Sequence, residues 1–149
     1  MKYKVGALSG KFLPPQMGHA ELISRASDAC ETLYVVVSDR NFEIPVELRI
    51  EWLAEYFKNR NIIFLPMDET AIPPRPDGTA EWCEVFKKII GEKIDARFFG
   101  EEAYFQMDKY FPGTKSVMIQ RDEINATQIR ANPKKYLHQI IPPARKYFM

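Results

Sequence analysis

Cysteine is scarce: the 149 residues include two, Cys30 and Cys83, far apart and at no metal-ligand spacing. Both read as reduced, buried, small apolar residues of a cytoplasmic protein. No apolar run reaches membrane-spanning length. The N-terminal "MKYKVGALSG" meets Lys11 and prolines too soon to resemble a signal peptide. Charge of one sign is also missing. Lys and Arg number 21 against 20 Asp and Glu, a formal net charge of +1. Nothing global therefore steers the chain to nucleic acid or acidic lipid, and neither is an expected partner. The G-x-x-x-x-G-K-[ST] phosphate loop and the dinucleotide G-x-G-x-x-G are both absent. There is no internal repeat and no low-complexity linker, so residues 1–149 read as one domain.

What is present alternates between two textures. "YKVGALS" (3–9), "TLYVVVS" (32–38), "NIIFLP" (61–66), "ARFFG" (96–100) and "KSVMIQ" (115–120) read as short buried strands. Between them lie segments of helical period. Residues 19–30 align Leu22, Ile23, Ala26, Ala29 and Cys30. Residues 45–58 align Leu48, Trp52, Leu53, Tyr56 and Phe57. Residues 79–90 align Trp82, Val85, Phe86, Ile89 and Ile90, with Gly91 as C-cap. The order β-α-β-α-β-α-β-α-β predicts an α/β fold, a Rossmann-like open parallel sheet with helices on both faces. Ligands of such sheets bind at the carboxyl ends of the strands. Residues 9–19, 38–45, 66–78, 99–102 and 120–127 leave those ends, so a site is expected from them. "IPPRPDG" (72–78) is a stiff loop suited to shaping a cleft.

"GKFLPPQMGH" (10–19) concentrates the special chemistry. A glycine straight after the first strand admits close backbone approach. A helix starting near Gly18 and His19 aims free N–H groups at a ligand, and Lys11 adds charge, which together suit a phosphate. The same residues also fit a proline-rich turn whose His19 only caps a helix.

The stretch resembles the G-x-F-x-P-x-H-x-G-H signature of the nucleotidyltransferase superfamily that includes class I aminoacyl-tRNA synthetases. Gly10, Phe12, Pro14, Gly18 and His19 match, and Gln16 stands where the first histidine belongs. "INATQIR" (124–130) resembles the second signature, I-S-x-T-x-I-R, with Ile124, Thr127, Ile129 and Arg130 matching and Asn125 in place of Ser. The first motif, "ELRIEWLAEYF", "DGTAEWCEVF" and "NATQIRANPKKYLHQIIPPARKYF" resemble the NadR-type nicotinamide mononucleotide adenylyltransferases along nearly the whole chain. A kinase domain often follows in that family. With no phosphate loop here, ribosylnicotinamide kinase activity is not expected.

The resemblance implies a nucleotidyltransferase domain that moves AMP from ATP to nicotinamide mononucleotide, making NAD and pyrophosphate in the cytoplasm, with a homo-oligomer left open. It implies that His19 donates to the α-phosphate and that Lys11 and Arg130 hold the β- and γ-phosphates. Thr127, Ala126 and their backbone add neutral donors. Ser9, Gly10, Phe12 and Gly18 border ATP, and Gly100 and Glu101 lie on its adenine side. Mg²⁺ rides mainly on the phosphates. Trp82 either stacks on the nicotinamide ring or is core with Phe86. Arg49 is either an acceptor-phosphate contact or a solvated helix charge. Arg121 precedes the second motif and can reach phosphate. Trp52 is expected in the core, and His138 in a structural role. Gln16 in the histidine position is a neutral phosphate donor, costing on the order of 10²-fold in rate if uncompensated. On that reading Gln16→His is neutral to mildly activating. The other functional readings are a non-catalytic NAD- or ATP-binding sensor and a same-fold transferase with another phosphate-headed acceptor.

Overall fold

The computed structural model describes residues 2–149. The apolar runs become five strands: β1 (Tyr3–Gly10), β2 (Cys30–Asp39), β3 (Ile62–Asp68), β4 (Ala96–Phe99) and β5 (Lys115–Met118). They form one parallel sheet in the order β3-β2-β1-β4-β5. Helices α1 (Met17–Asp28), α2 (Val46–Tyr56) and α3 (Thr79–Ile90) cross between strands. The chain winds outward from β1 to β3, then returns through α3 to β4 on the far side of β1. β1 and β4 therefore flank the point where winding reverses, and the loops leaving their carboxyl ends splay apart there.

Strand alternation divides the core in two. Leu8, Val35 and Val37 face one layer with Ile23 and Ala26 of α1, Trp52 and Leu53 of α2, and Ile140 and Ile141 near the C-terminus. Ala7, Val36 and Met67 face the other, with Cys83 and Phe86 of α3. Asn61 anchors the entry to β3: its Nδ2 donates to the carbonyls of Ser27, Cys30 and Glu31.

Two expectations need correction, the helical crossover from β4 to β5 and the apolar face of α2. The crossover from β4 to β5 is a 3₁₀ segment, Glu102–Tyr110, in which Met107 is buried. Tyr56 is exposed, whereas Arg49 on the same helix is fully buried. The C-terminal third holds two short helices, α4 (Ala126–Ala131) and α5 (Pro142–Arg145). Among the described residues no helix is long and apolar enough to cross a membrane.

β1 packs tightly at Gly6, where an added Cβ would lie 2.2 Å from Cys30 Sγ and 2.8 Å from the Phe98 ring. Gly6→Ala is expected to cost about 1–3 kcal/mol. Urea unfolding should show a lower midpoint at unchanged slope.

Candidate active site

A cleft of about 430 Å³ opens where the sheet reverses. Ser9, Gly10, Lys11, Phe12, His19, Trp82, Gly100, Glu101, Ala126, Thr127 and Arg130 all line it, as does Arg121. Gln16, Gly18 and Arg49 do not line it.

The loop from β1 to α1 is built around its prolines. Pro14 and Pro15 have no N–H, so the loop offers carbonyls that outside donors must satisfy. Arg49 Nη1 bonds the carbonyl of Lys11, Arg130 Nη1 that of Leu13 (2.7 Å), and the Ile141 N–H that of Pro15 (3.2 Å). Phe12 takes a left-handed backbone (φ 50) and is buried. That conformation is costly for a bulky residue, and it sets the Phe12 ring edge-on to His19 at 5.0 Å. The Gln16 N–H donates to His19 Nδ1 at 3.2 Å. This bond leaves the imidazole hydrogen on Nε2, which lies 3.3 Å from Glu123 Oε1 at the cleft.

The side chain of Gln16 does not face the cleft. It is fully buried. Its Nε2 donates to the Ile124 carbonyl at 2.8 Å, and its Oε1 accepts the Ile124 N–H at 2.9 Å. One amide thus satisfies both backbone groups of a residue 108 positions away. The expectation of a neutral phosphate donor is corrected: Gln16 clasps the first motif to the second. Gly18 also serves this join, because a Cβ there would stand 2.3 Å from the Asp122 carbonyl oxygen.

Arg49 is likewise corrected. Its guanidinium bonds the carbonyls of Ile44 (3.0 Å), Ser38 (2.8 Å) and Lys11, with Asp39 at 3.6 Å. Burial lowers its pKa, and Asp39 opposes that shift. It braces the loops that leave β1 and β2.

The second motif starts α4, where the Asn125 side chain caps the helix by accepting from the N–H groups of Thr127 (2.8 Å) and Gln128 (3.3 Å). Arg130 Nε lies 2.9 Å from Glu43. Arg121 pairs with Glu123 and donates to the Gly100 carbonyl, while its buried Nε has no partner among the described residues. Lys11 is exposed, with Nζ 5.5 Å from the centre of the Phe42 ring. Trp82 is half-buried: it stacks on Phe86 (5.0 Å, 15°) and also borders the cleft, so it belongs to core and cleft at once. Trp52 lies in the core, and His138 is exposed, its carbonyl taken by Arg145.

Sequence reasoning missed Glu43, Glu123, Arg97 and Tyr104. Arg97 stands inside the apolar run "ARFFG", and a charged residue in a buried strand demands a partner. That was the available signal. Among the described residues no three carboxylate, histidine or cysteine side chains converge as a metal cage.

Three outcomes are expected. Gln16→Glu keeps size but, when ionised, sets a carboxylate against the Ile124 carbonyl. It should cost about 1–3 kcal/mol, relieved at acidic pH where protonation restores a donor. Gln16→His cannot present a donor and an acceptor at amide spacing and should also lower the melting temperature, whereas a phosphate donor facing an open cleft would leave stability little changed. For Glu123, the His19 bond first and Arg121 second hold its pKa below the usual glutamate value. A carboxylate lowered on folding stabilises fully above its unfolded pKa and loses that contribution as pH falls through the folded value. Glu123→Gln should therefore flatten the acid limb of stability against pH, measured by urea titration.

No protein-family model matches the chain. It is 27% identical, over an alignment of 169 positions, to the trifunctional NAD biosynthesis/regulator protein NadR of Escherichia coli (strain K12), covering 99% of this chain and 41% of that protein. The chain thus spans about two fifths of that relative's length. A crystal structure of NadR in complex with NR superposes with a TM-score of 0.80 at 26% identity, covering 99% of this chain and 46% of that one. NadR in complex with NAD and AMP-PNP gives 0.76 at 26% identity, covering 98% and 47%. In fold, and over nearly its whole length, the chain is similar to NadR.

Proposed function

We propose that this chain, acting as one nucleotidyltransferase domain, transfers AMP from ATP to nicotinamide mononucleotide, forming NAD and pyrophosphate. The observation that carries the reading is the convergence of both motifs on one cleft: Lys11 and His19 from one end of the chain, Thr127 and Arg130 from the other. NadR has been crystallised with NR and with NAD and AMP-PNP.

The acceptor's 5′-phosphate is already ionised, so it attacks the α-phosphorus in line without a protein nucleophile. The bond to the β-phosphate oxygen breaks, and pyrophosphate leaves with that electron pair. The protein positions two anions and stabilises the charge that builds on the triphosphate. His19 Nε2 carries the hydrogen for an α-phosphate oxygen, in competition with Glu123. Lys11 and Arg130 hold the outer phosphates, and the unpartnered Arg121 Nε is a further donor. Ser9, Gly10 and Phe12 border the nucleotide on one side, and Gly100 and Glu101 on the other. Trp82 offers its face to the cationic pyridinium ring. The cleft carries four full cations (Lys11, Arg97, Arg121, Arg130) and three carboxylates (Glu43, Glu101, Glu123). That surplus is smaller than the charge of a triphosphate. That deficit suits a Mg²⁺ carried on the ATP phosphates and water, which would supply the remaining charge neutralisation. Cys30 and Cys83, buried and unpaired, fit a reducing cytoplasm. The sensor reading rested on Gln16 in the phosphate locus, and Gln16 lies outside the cleft.

Purified chain with ATP, Mg²⁺ and nicotinamide mononucleotide should yield NAD by mass and stoichiometric pyrophosphate. A folded protein that releases no pyrophosphate with any acceptor phosphate refutes the enzyme. Product only with phosphopantetheine or another phosphate refutes the acceptor. His19→Ala should lower kcat on the order of 10²-fold with acceptor affinity little changed. Arg130→Ala should chiefly weaken ATP binding.

A further inference from the structure

The inner end of the cleft differs in chemistry from its cationic mouth. Trp82, Phe86, Phe99, Tyr104 and Met107 line it, and among them stands one charged side chain, Arg97. Arg97 is 5% exposed. Its guanidinium lies 4.8 Å from the Phe99 ring centre and 4.9 Å from that of Phe111. All its bonds run through Nη2, to the Tyr104 carbonyl (3.1 Å) and Asp108 Oδ1 (2.7 Å), with Ser116 Oγ at 3.5 Å. Its Nε is buried without a partner among the described residues, and its Nη1 makes no hydrogen bond there either. Burial lowers the pKa of Arg97, and Asp108 opposes that shift.

A buried donor without an acceptor is costly, and natural sites keep one chiefly where something else supplies the acceptor. The neighbouring surfaces are flat and aromatic, so the complementary group is an oxygen on a planar ring. The Arg97 charge is already answered by Asp108, with Ser116 Oγ donating to the same carboxylate at 2.5 Å. A neutral carbonyl oxygen can use the spare N–H at little desolvation cost. A carboxylate must be desolvated beside a pair that has no net charge left to offer, with Asp108 repelling it.

We propose that Arg97 is the specificity-determining residue for the acceptor's ring substituent: its free N–H donates to a carboxamide oxygen, and its pairing with Asp108 disfavours a carboxylate. This rests on the acceptor being a pyridine mononucleotide bound against Trp82, as proposed above. No bond is made or broken at this end of the cleft. Arg97 acts by binding alone.

The test is calorimetric binding, at fixed pH and salt, of three ligands: nicotinamide mononucleotide, nicotinate mononucleotide, and the pyridinium mononucleotide that lacks the ring substituent. Arg97→Met should weaken nicotinamide mononucleotide roughly tenfold or more, while the unsubstituted ligand changes less than about twofold. Asp108→Asn leaves Arg97 in place with its charge unanswered. It should shift the nicotinate-to-nicotinamide affinity ratio roughly tenfold toward nicotinate. Circular dichroism and ATP binding check that each variant is folded. Should Arg97→Met not fold, the Asp108→Asn ratio decides alone. A folded Arg97→Met that weakens the substituted and unsubstituted ligands equally overturns the proposal, as does an unchanged ratio in Asp108→Asn. If wild type binds none of the three ligands, the pyridine acceptor itself is wrong, and both readings fall.

Discussion

The cleft depends on a single amide. Gln16 gives Ile124 both a donor and an acceptor, and so fixes a loop that has no ladder partner of its own. The two segments it joins are far apart in sequence, and the loop around Ile124 belongs to no strand or long helix. If the amide were lost, two backbone groups would lie beside a buried side chain with nothing to bond, at about 1–3 kcal/mol each. The Gln16 backbone works in the same place: its N–H fixes the His19 ring, and Ile140 forms an isolated bridge with it. One residue therefore sets the spacing between the motifs, the orientation of His19 and the seat of the C-terminal segment.

The loop around Gln16 explains why so much outside help is needed. Its prolines hold the chain away from helix and sheet, and they remove donors while leaving carbonyls. The cations supplied to those carbonyls come from distant elements: Arg49 from α2 and Arg130 from α4. Arg130 consequently has two tasks. Nη1 holds the loop, while Nε faces the cleft region at Glu43. Truncating it loosens the first motif as well as removing a charge.

The alternation of strands and helices was legible in the sequence because it rests on local periodicity. The two motifs could be located for the same reason. The task of Gln16 was not legible. Alignment with a histidine signature carries over a position, whereas the bond to Ile124 is a long-range fact that no local pattern encodes. Arg49 did leave a trace. It stands three and four residues before Trp52 and Leu53, on the apolar stripe of α2, so a buried guanidinium with carbonyl partners was the reading its spacing supported. The 3₁₀ crossover was masked for a different reason. Tyr104 and Met107 stand three apart, a spacing that α- and 3₁₀-helices share, so the pattern does not separate the two, and only Met107 is buried there.

The cleft joins two kinds of binding surface, and the proposed reaction needs both. At the mouth, donors are held by carboxylates from neighbouring loops, Glu123 on His19 and Arg121, and Glu43 on Arg130. Such groups are exchangeable: a phosphate oxygen can replace a carboxylate oxygen without leaving a donor bare. At the inner end the surfaces are aromatic and tightly packed, with the spare donors of one guanidinium left over. Exchangeable contacts suit a group whose charge changes during reaction, because donors can follow the charge as it moves. Fixed aromatic walls suit a group that stays unchanged and must only be placed. In-line transfer gains most from that division. Binding energy collected on the inert ring holds the attacking phosphate at the required distance, and the cations at the mouth remain free to respond to the transition state.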